Sequence, residues 1–175
     1  MARPWIAFFS QTGSEIVDII DKLGKYPDQI YTNFRPSDLR QINSKIPYYA
    51  ELNNKPDLKQ LEFICSIFEN PIITLHGWLR IMPPEICNKY EIYNGHPGLI
   101  TKYPELKGKD PQMRAWNGDY KTVGTVIHKV TEGVDEGEII SSATFTKEGL
   151  DVDGYFRILR EMSSTLWVDF LREKL

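Results

Sequence analysis

The chain has 175 residues, 41% hydrophobic and 26% charged, which excludes a disordered or collagen-like protein. Lys and Arg number 21 against 24 Asp and Glu, a formal charge of -3, so the broad basic face of a nucleic-acid grip is not expected. The length fits a single domain over residues 1–175, with a core that needs neither disulfides nor metals.

Cys65 and Cys87 form no C-x-x-C pair and read as reduced thiols of a cytoplasmic protein. No apolar run approaches a membrane span, and Met1-Ala2-Arg3-Pro4 does not open a signal peptide. Three scattered histidines give no metal site.

Trp5 to Ser10 is a continuous apolar run, predicted as a buried strand. Gln11-Thr12-Gly13-Ser14 turns the chain into a helix carrying Ile16, Ile19, Ile20 and Leu23. Gln29 to Thr32 is a second strand. Pro36-Ser37-Asp38 opens a helix with Leu39 and Ile42, and Ile46 to Tyr49 is a third strand. Leu58, Leu61, Ile64, Cys65 and Phe68 make one helix face. Pro71 to Leu75 is the fourth strand, a short helix ends near Lys89, and Tyr90 to Tyr93 is the fifth. Gly98 to Asp110 reads as loop and Gln112 to Trp116 as a helical turn. Thr122 to Thr131 and Glu138 to Thr146 read as a paired ladder, and Asp151 to Leu175 as a long amphipathic helix. Strands alternating with helices predict an α/β fold: a mostly parallel twisted sheet with helices on both faces, the last two strands antiparallel.

In such a sheet ligands bind outside the carboxyl ends of the strands. Gln11 to Glu15, His76 to Met82 and Asn94 to Gly98 fall there, and the Thr131 to Gly137 loop can close over the same edge. Asn94 and His96 stand at i and i+2, on one side of an extended segment. With the carboxylate of Asp135 they suit a reaction that passes through an oxyanion. The amide and an imidazolium would stabilise the oxygen, and the carboxylate would keep the ring charged.

Four segments also carry a resemblance. Leu75-His76-Gly77-Trp78-Leu79-Arg80-Ile81-Met82 resembles the folate-pocket stretch of the glycinamide ribonucleotide formyltransferases, and Asn94-Gly95-His96-Pro97-Gly98-Leu99-Ile100 resembles their catalytic Asn-x-His-Pro motif. Gly124 to Val130 with Val134 to Ile140 is similar to their closing signature around the catalytic Asp, and Phe8 to Ile16 to their opening phosphate loop. The matches run in order over positions 5 to 145. The resemblance implies the Rossmann-like formyltransferase fold and 10-formyltetrahydrofolate as cofactor. Asn94 and His96 would stabilise the tetrahedral intermediate, and Asp135 would pair with His96 and help proton transfer. Trp78, Leu79, Arg80, Ile81 and Met82 would hold the folate on one side, and Thr131, Glu132, Gly133 and Val134 on the other. Gln11, Thr12, Gly13, Ser14, Glu15, Gly77 and Pro97 would border the acceptor. His128, on a strand near the site, would be without an essential role.

Two departures bear on the acceptor. The family's loop reads Gly-x-Gly-Ser-Asn, whereas this chain has Gln11 and Glu15 at the first and last positions. Either Glu15 turns away to cap the helix, or the substrate carries no phosphate there. Leu106-Lys107-Gly108-Lys109-Asp110-Pro111 is closer in look to a stretch of methionyl-tRNA and sugar N-formyltransferases. The resemblance therefore implies formyl transfer to a small amine, glycinamide ribonucleotide first and the amine of a sugar nucleotide or modified nucleotide second. Hydrolysis of the formylfolate and folate binding without turnover are the remaining readings. Folate and a small amine are the expected partners of a monomer or homodimer, with no nucleic acid and no membrane.

Overall fold

A computed structural model describes residues 2–33 and 41–175. The sheet is built from β1 (Trp5–Phe9), β2 (Gln29–Thr32), β3 (Ala50–Glu51), β4 (Ile72–His76), β5 (Glu91–His96), β6 (Thr122–Lys129) and β7 (Ile139–Thr146). Its seven strands lie in the order β3-β2-β1-β4-β5-β6-β7. The first five are parallel, and β6 and β7 run antiparallel to their neighbours. The helices are α1 (Ser14–Leu23), α2 (Leu58–Cys65), α3 (Pro84–Lys89), α4 (Pro111–Asn117) and α5 (Val152–Lys174). The α/β architecture expected from the alternating pattern is the one observed.

The all-apolar β1 shows why. Trp5, Ala7 and Phe9 pack with α1 and α5 on one face, and Ile6 and Phe8 pack with α2 and α3 on the other. Every residue of β1 is buried because both faces of a parallel sheet are covered. A third cluster, including Leu106, Ala115, Val126, Tyr155 and Leu159, seats α4 and the start of α5 on β6.

Three elements differ from the sequence-based expectation. Residues 46–49 are not a strand; the third strand is Ala50–Glu51, where Tyr31 and Thr32 find parallel partners. Ile42 is not helical, and the rest of the helix expected around Leu39 lies outside the described residues. β5 does not end at Tyr93 but continues through His96, because Asn94 to His96 pair with His128 to Val126 of β6. Among the described residues no helix is long and apolar enough to cross a membrane.

Candidate active site

The strand order reverses between β1 and β4, which opens a crevice at their carboxyl ends. There Ser10 N–H donates to Gly77 O at 3.3 Å, and the β5 end lies alongside. A cleft of about 950 Å³ opens at this edge. That size suits a ligand of cofactor dimensions.

The chemistry-bearing groups meet on its floor. Asn94 of β5 lies opposite His128 of β6, so their side chains share a face of the sheet. Asp135 comes in from the β6–β7 turn with a left-handed φ of 53, a conformation a non-glycine residue adopts at some cost. Its carboxylate stands between two imidazoles: Oδ2 is 3.3 Å from His96 Nδ1, and Oδ1 is 3.2 Å from His128 Nε2. Gly108 N–H donates to Oδ2 at 2.8 Å.

Backbone carbonyls fix the tautomers, since a carbonyl oxygen only accepts. His96 Nε2 lies 2.8 Å from Leu106 O and therefore carries a proton. His128 Nδ1 lies 3.0 Å from Lys129 O and does the same. His128 Nε2 is left either to accept from Asn94 Nδ2 at 3.3 Å or, once protonated, to donate to Asp135.

Burial acts against charge on Asp135 and His96, with different outcomes. Burial alone would raise the Asp135 carboxyl; the hydrogen bond from His128, the charge of His96 and the Gly108 N–H outweigh it and hold the group below the ordinary carboxylate value. For His96 burial wins: it pushes the imidazole below its ordinary value, although Asp135 and the Leu106 hydrogen bond oppose it. Asp135 thus favours the charged ring of His96, and burial opposes it more strongly.

The residues expected around the folate line two sides of the cleft. Trp78, Leu79, Arg80, Ile81 and Met82 form one wall, and Thr131, Glu132, Gly133 and Val134 the other. Leu79, Ile81 and Val134 expose large apolar side chains at its mouth. Trp78 is buried edge-on against Phe8, and Met82 is buried beneath the wall. Arg80 turns its guanidinium away to Asn54, with Nε 2.8 Å from the carbonyl and Nη2 2.9 Å from Oδ1. The backbone N–H groups of Arg80, Ile81 and Met82 bond to no other described residue. An apolar slot edged by open backbone donors fits a flat heteroaromatic ring system such as a pterin.

Of the residues expected around the acceptor, Gln11, Gly77 and Pro97 line the cleft, whereas Thr12, Gly13, Ser14 and Glu15 do not. The Gln11 side chain lies over Gly77, 3.7 Å from where a Cβ would stand. Residues 43–46 cover the loop: Asn43 N–H donates to Thr12 O at 2.8 Å, Asn43 Nδ2 lies 3.1 Å from Ser14 Oγ, and Ile46 presses on Gly13. Glu15 does turn away, but not to cap α1, whose start has no side-chain cap. Its carboxylate reaches His76 Nδ1 at 2.7 Å and accepts from Ser163 Oγ of α5 at 2.8 Å.

Sequence reasoning placed His128 near the site, and in the structure it touches both Asn94 and Asp135. Two contributors were missed. Residues 108–112 complete the cleft wall, and Leu106 holds His96; the sequence singled out Leu106 to Pro111 only for its look and gave it no place at the site.

The formyl transferase family model matches residues 53–147, more than half of the chain. Methionyl-tRNA formyltransferase of Fervidobacterium nodosum is 25% identical over 174 residues, 98% of this chain and 54% of that protein. Phosphoribosylglycinamide formyltransferase of Escherichia coli is 35% identical over 87 residues, 49% of this chain and 40% of that protein. The chain spans about half the length of the methionyl-tRNA formyltransferases it matches. In fold it is similar to the crystal structure of phosphoribosylglycinamide formyltransferase from Campylobacter jejuni, with a TM-score of 0.77 at 20% identity over 99% of this chain and 97% of that one.

Proposed function

The chain belongs to the formyl transferase family, and within it we propose that this protein moves a formyl group from 10-formyltetrahydrofolate to the primary amine of a small acceptor. The observation that carries this reading is Asp135 held between His96 and His128, with Asn94 beside them, on the floor of the cleft.

The folate supplies the formyl carbon and the nitrogen from which it departs. Its ring system would be held between the Trp78 to Met82 wall and the Thr131 to Val134 loop. As the amine attacks, negative charge grows on the formyl oxygen and positive charge on the amine. Asn94 Nδ2 leaves His128 and donates to that oxygen. His96 Nδ1, bare in the resting ring, takes the surplus proton, either directly or by way of Asp135. The imidazolium so formed keeps its Nε2–H on Leu106 O, and Asp135 balances its charge. Its contact with Asp135, 3.3 Å, is longer than a charge-assisted hydrogen bond, so the Nδ1 proton stays available to be returned to the departing nitrogen.

Glycinamide ribonucleotide is the first acceptor to test, on the sequence resemblance and the names of the similar proteins. The covered loop favours a second reading, an amine without a phosphate at Gly13-Ser14, because Asn43, Ile46 and Glu15 occupy its surroundings. The experiment is formyl transfer followed by absorbance with glycinamide ribonucleotide, its dephosphorylated riboside, an amino-sugar nucleotide and a no-acceptor control. Acceptor-dependent turnover supports the proposal, and preference for the riboside selects the second reading. Equal turnover without acceptor means hydrolysis, and folate binding with no turnover on any acceptor refutes catalysis.

A further inference from the structure

Arg114 of α4 is exposed and does not line the cleft. Its guanidinium nevertheless gathers four backbone carbonyls from one stretch of chain: Nε donates to Lys109 O at 2.9 Å, Nη1 to Glu105 O at 2.6 Å, and Nη2 to Lys107 O at 2.7 Å and Leu106 O at 3.2 Å. Only a planar fork of donors matches such a set. The contacts are not needed to finish α4, where Lys147 Nζ donates to Ala115 O and Trp116 O of the last turn and to Gly118 O just beyond it.

The same stretch grips the catalytic groups from its other side. Leu106 O accepts from His96 Nε2 at 2.8 Å, so one oxygen serves both Arg114 and His96. Two residues on, Gly108 N–H donates to Asp135 Oδ2 at 2.8 Å. Between the 3-10 turn at Pro104–Leu106 and α4, this segment belongs to no strand or helix that would hold it in place.

We infer that Arg114 is a positioning residue of the proposed formyl transfer: it clamps residues 105–109 and thereby fixes the ring of His96 through Leu106 O and the carboxylate of Asp135 through Gly108 N–H. Its charge also disfavours protonation of His96, in keeping with a ring that rests neutral. The kinetic part of this inference rests on the formyl-transfer reading, and the geometric part does not.

The test uses the full chain with R114A, R114K and H96A, singly and combined, each checked by thermal melting. The first readout needs no activity: nitrogen NMR of the imidazoles, following the His96 Nε2 proton. A slowly exchanging Nε2 proton is expected in the wild type, lost in R114A and weakened in R114K. An equally protected proton in folded R114A overturns the inference. The second readout is a double-mutant cycle. R114A is expected to lower kcat by about 10- to 100-fold with folate affinity little changed, and to add less than about twofold in the H96A background. Equal loss in both backgrounds, or loss of folate affinity in proportion to kcat, assigns Arg114 a merely structural part and overturns the inference. If R114A does not fold, R114K decides by the same two readouts, since a lysine keeps the charge without the fork. Absence of turnover on every acceptor, with the NMR result as expected, refutes the formyl-transfer reading and leaves the clamp standing.

Discussion

Glu15 and His76 meet at 2.7 Å across the top of the sheet, joining the first turn of α1 to the last residue of β4. The pair extends a chain of contacts: Trp5 Nε1 donates to Thr74 Oγ1, Thr74 lies 2.8 Å from His76 Nε2, and Ser163 Oγ donates to the free oxygen of Glu15. With the proton of His76 on Nδ1, every donor in this chain has an acceptor. Burial alone would raise the Glu15 carboxyl, but the hydrogen bond and charge of His76, then Ser163 and Trp167, hold it below its ordinary value of 4.5. Its folded pKa lies below the unfolded one, so its contribution to stability is present above pH 4.5 and lost as pH falls through the folded value. Glu15→Gln should therefore lose about 1–3 kcal/mol at pH 7 and show a shallower acid limb than the wild type. Urea unfolding across pH checks this, and superimposable curves would remove Glu15 from the stabilising network.

In the proposed mechanism the resting state of His96 sets the pH dependence of turnover. Burial, the largest influence, places its pKa below 6.5, and the proposed step needs the neutral ring. Turnover should fall as pH drops through that value and stay level above it. Asp135 raises the His96 pKa, so Asp135→Asn should move the acid limb to lower pH while lowering kcat by roughly 100-fold. A pH profile of kcat for both proteins checks the sign. A limb on the alkaline side would mean that the imidazolium, and not the neutral ring, is the working form.

Arg80 spends its guanidinium on Asn54, and its side chain has no part in the proposed folate slot beyond its backbone. Arg80→Met should keep folate affinity within about twofold. Fluorescence titration with a reduced folate checks it, with tenfold weakening as the contrary result.

Gly137 closes the turn that carries Asp135, and a Cβ there would lie 1.6 Å from Lys129 O. A backbone oxygen at that distance does not move aside like a flexible side chain. Gly137→Ala should displace the turn, costing about 1–3 kcal/mol and lowering kcat more than it weakens folate binding. Melting and kinetics together check this; an unchanged kcat would show that Asp135 tolerates a shifted turn.

The layered fold was legible because its strands are short apolar runs and its helices keep a 3.6-residue stripe, as β1 and α1 illustrate. The site's own strand was harder. Asn94-Gly95-His96-Pro97 has the composition of a turn, yet β5 runs through it. Gly95 is there for a different reason: a Cβ would stand 2.8 Å from Trp167 Nε1 of α5, a contact invisible in local pattern. Glu15 misled in the same way, since a carboxylate in a first turn reads as helix chemistry while its partners come from β4 and α5. Arg114 left no trace at all, because what it does depends on carbonyls, which every residue has. The grouping of Asn94, His96 and Asp135 was legible through motif order, and the way burial and neighbours push His96 and Asp135 was not.

Helix α5 touches three parts of the site's scaffold at once. Ser163 bonds Glu15, the Trp167 ring lies against His76, and the same indole occupies the space beside Gly95. The ends of β4 and β5 therefore take their final form against residues 152–174 and not against their sequence neighbours. A ribosome that has released only residues up to 151 has already made every group assigned to the chemistry. It has not made the surface on which those groups are set, so folding of the reactive edge waits for the helix that supplies none of the reacting atoms.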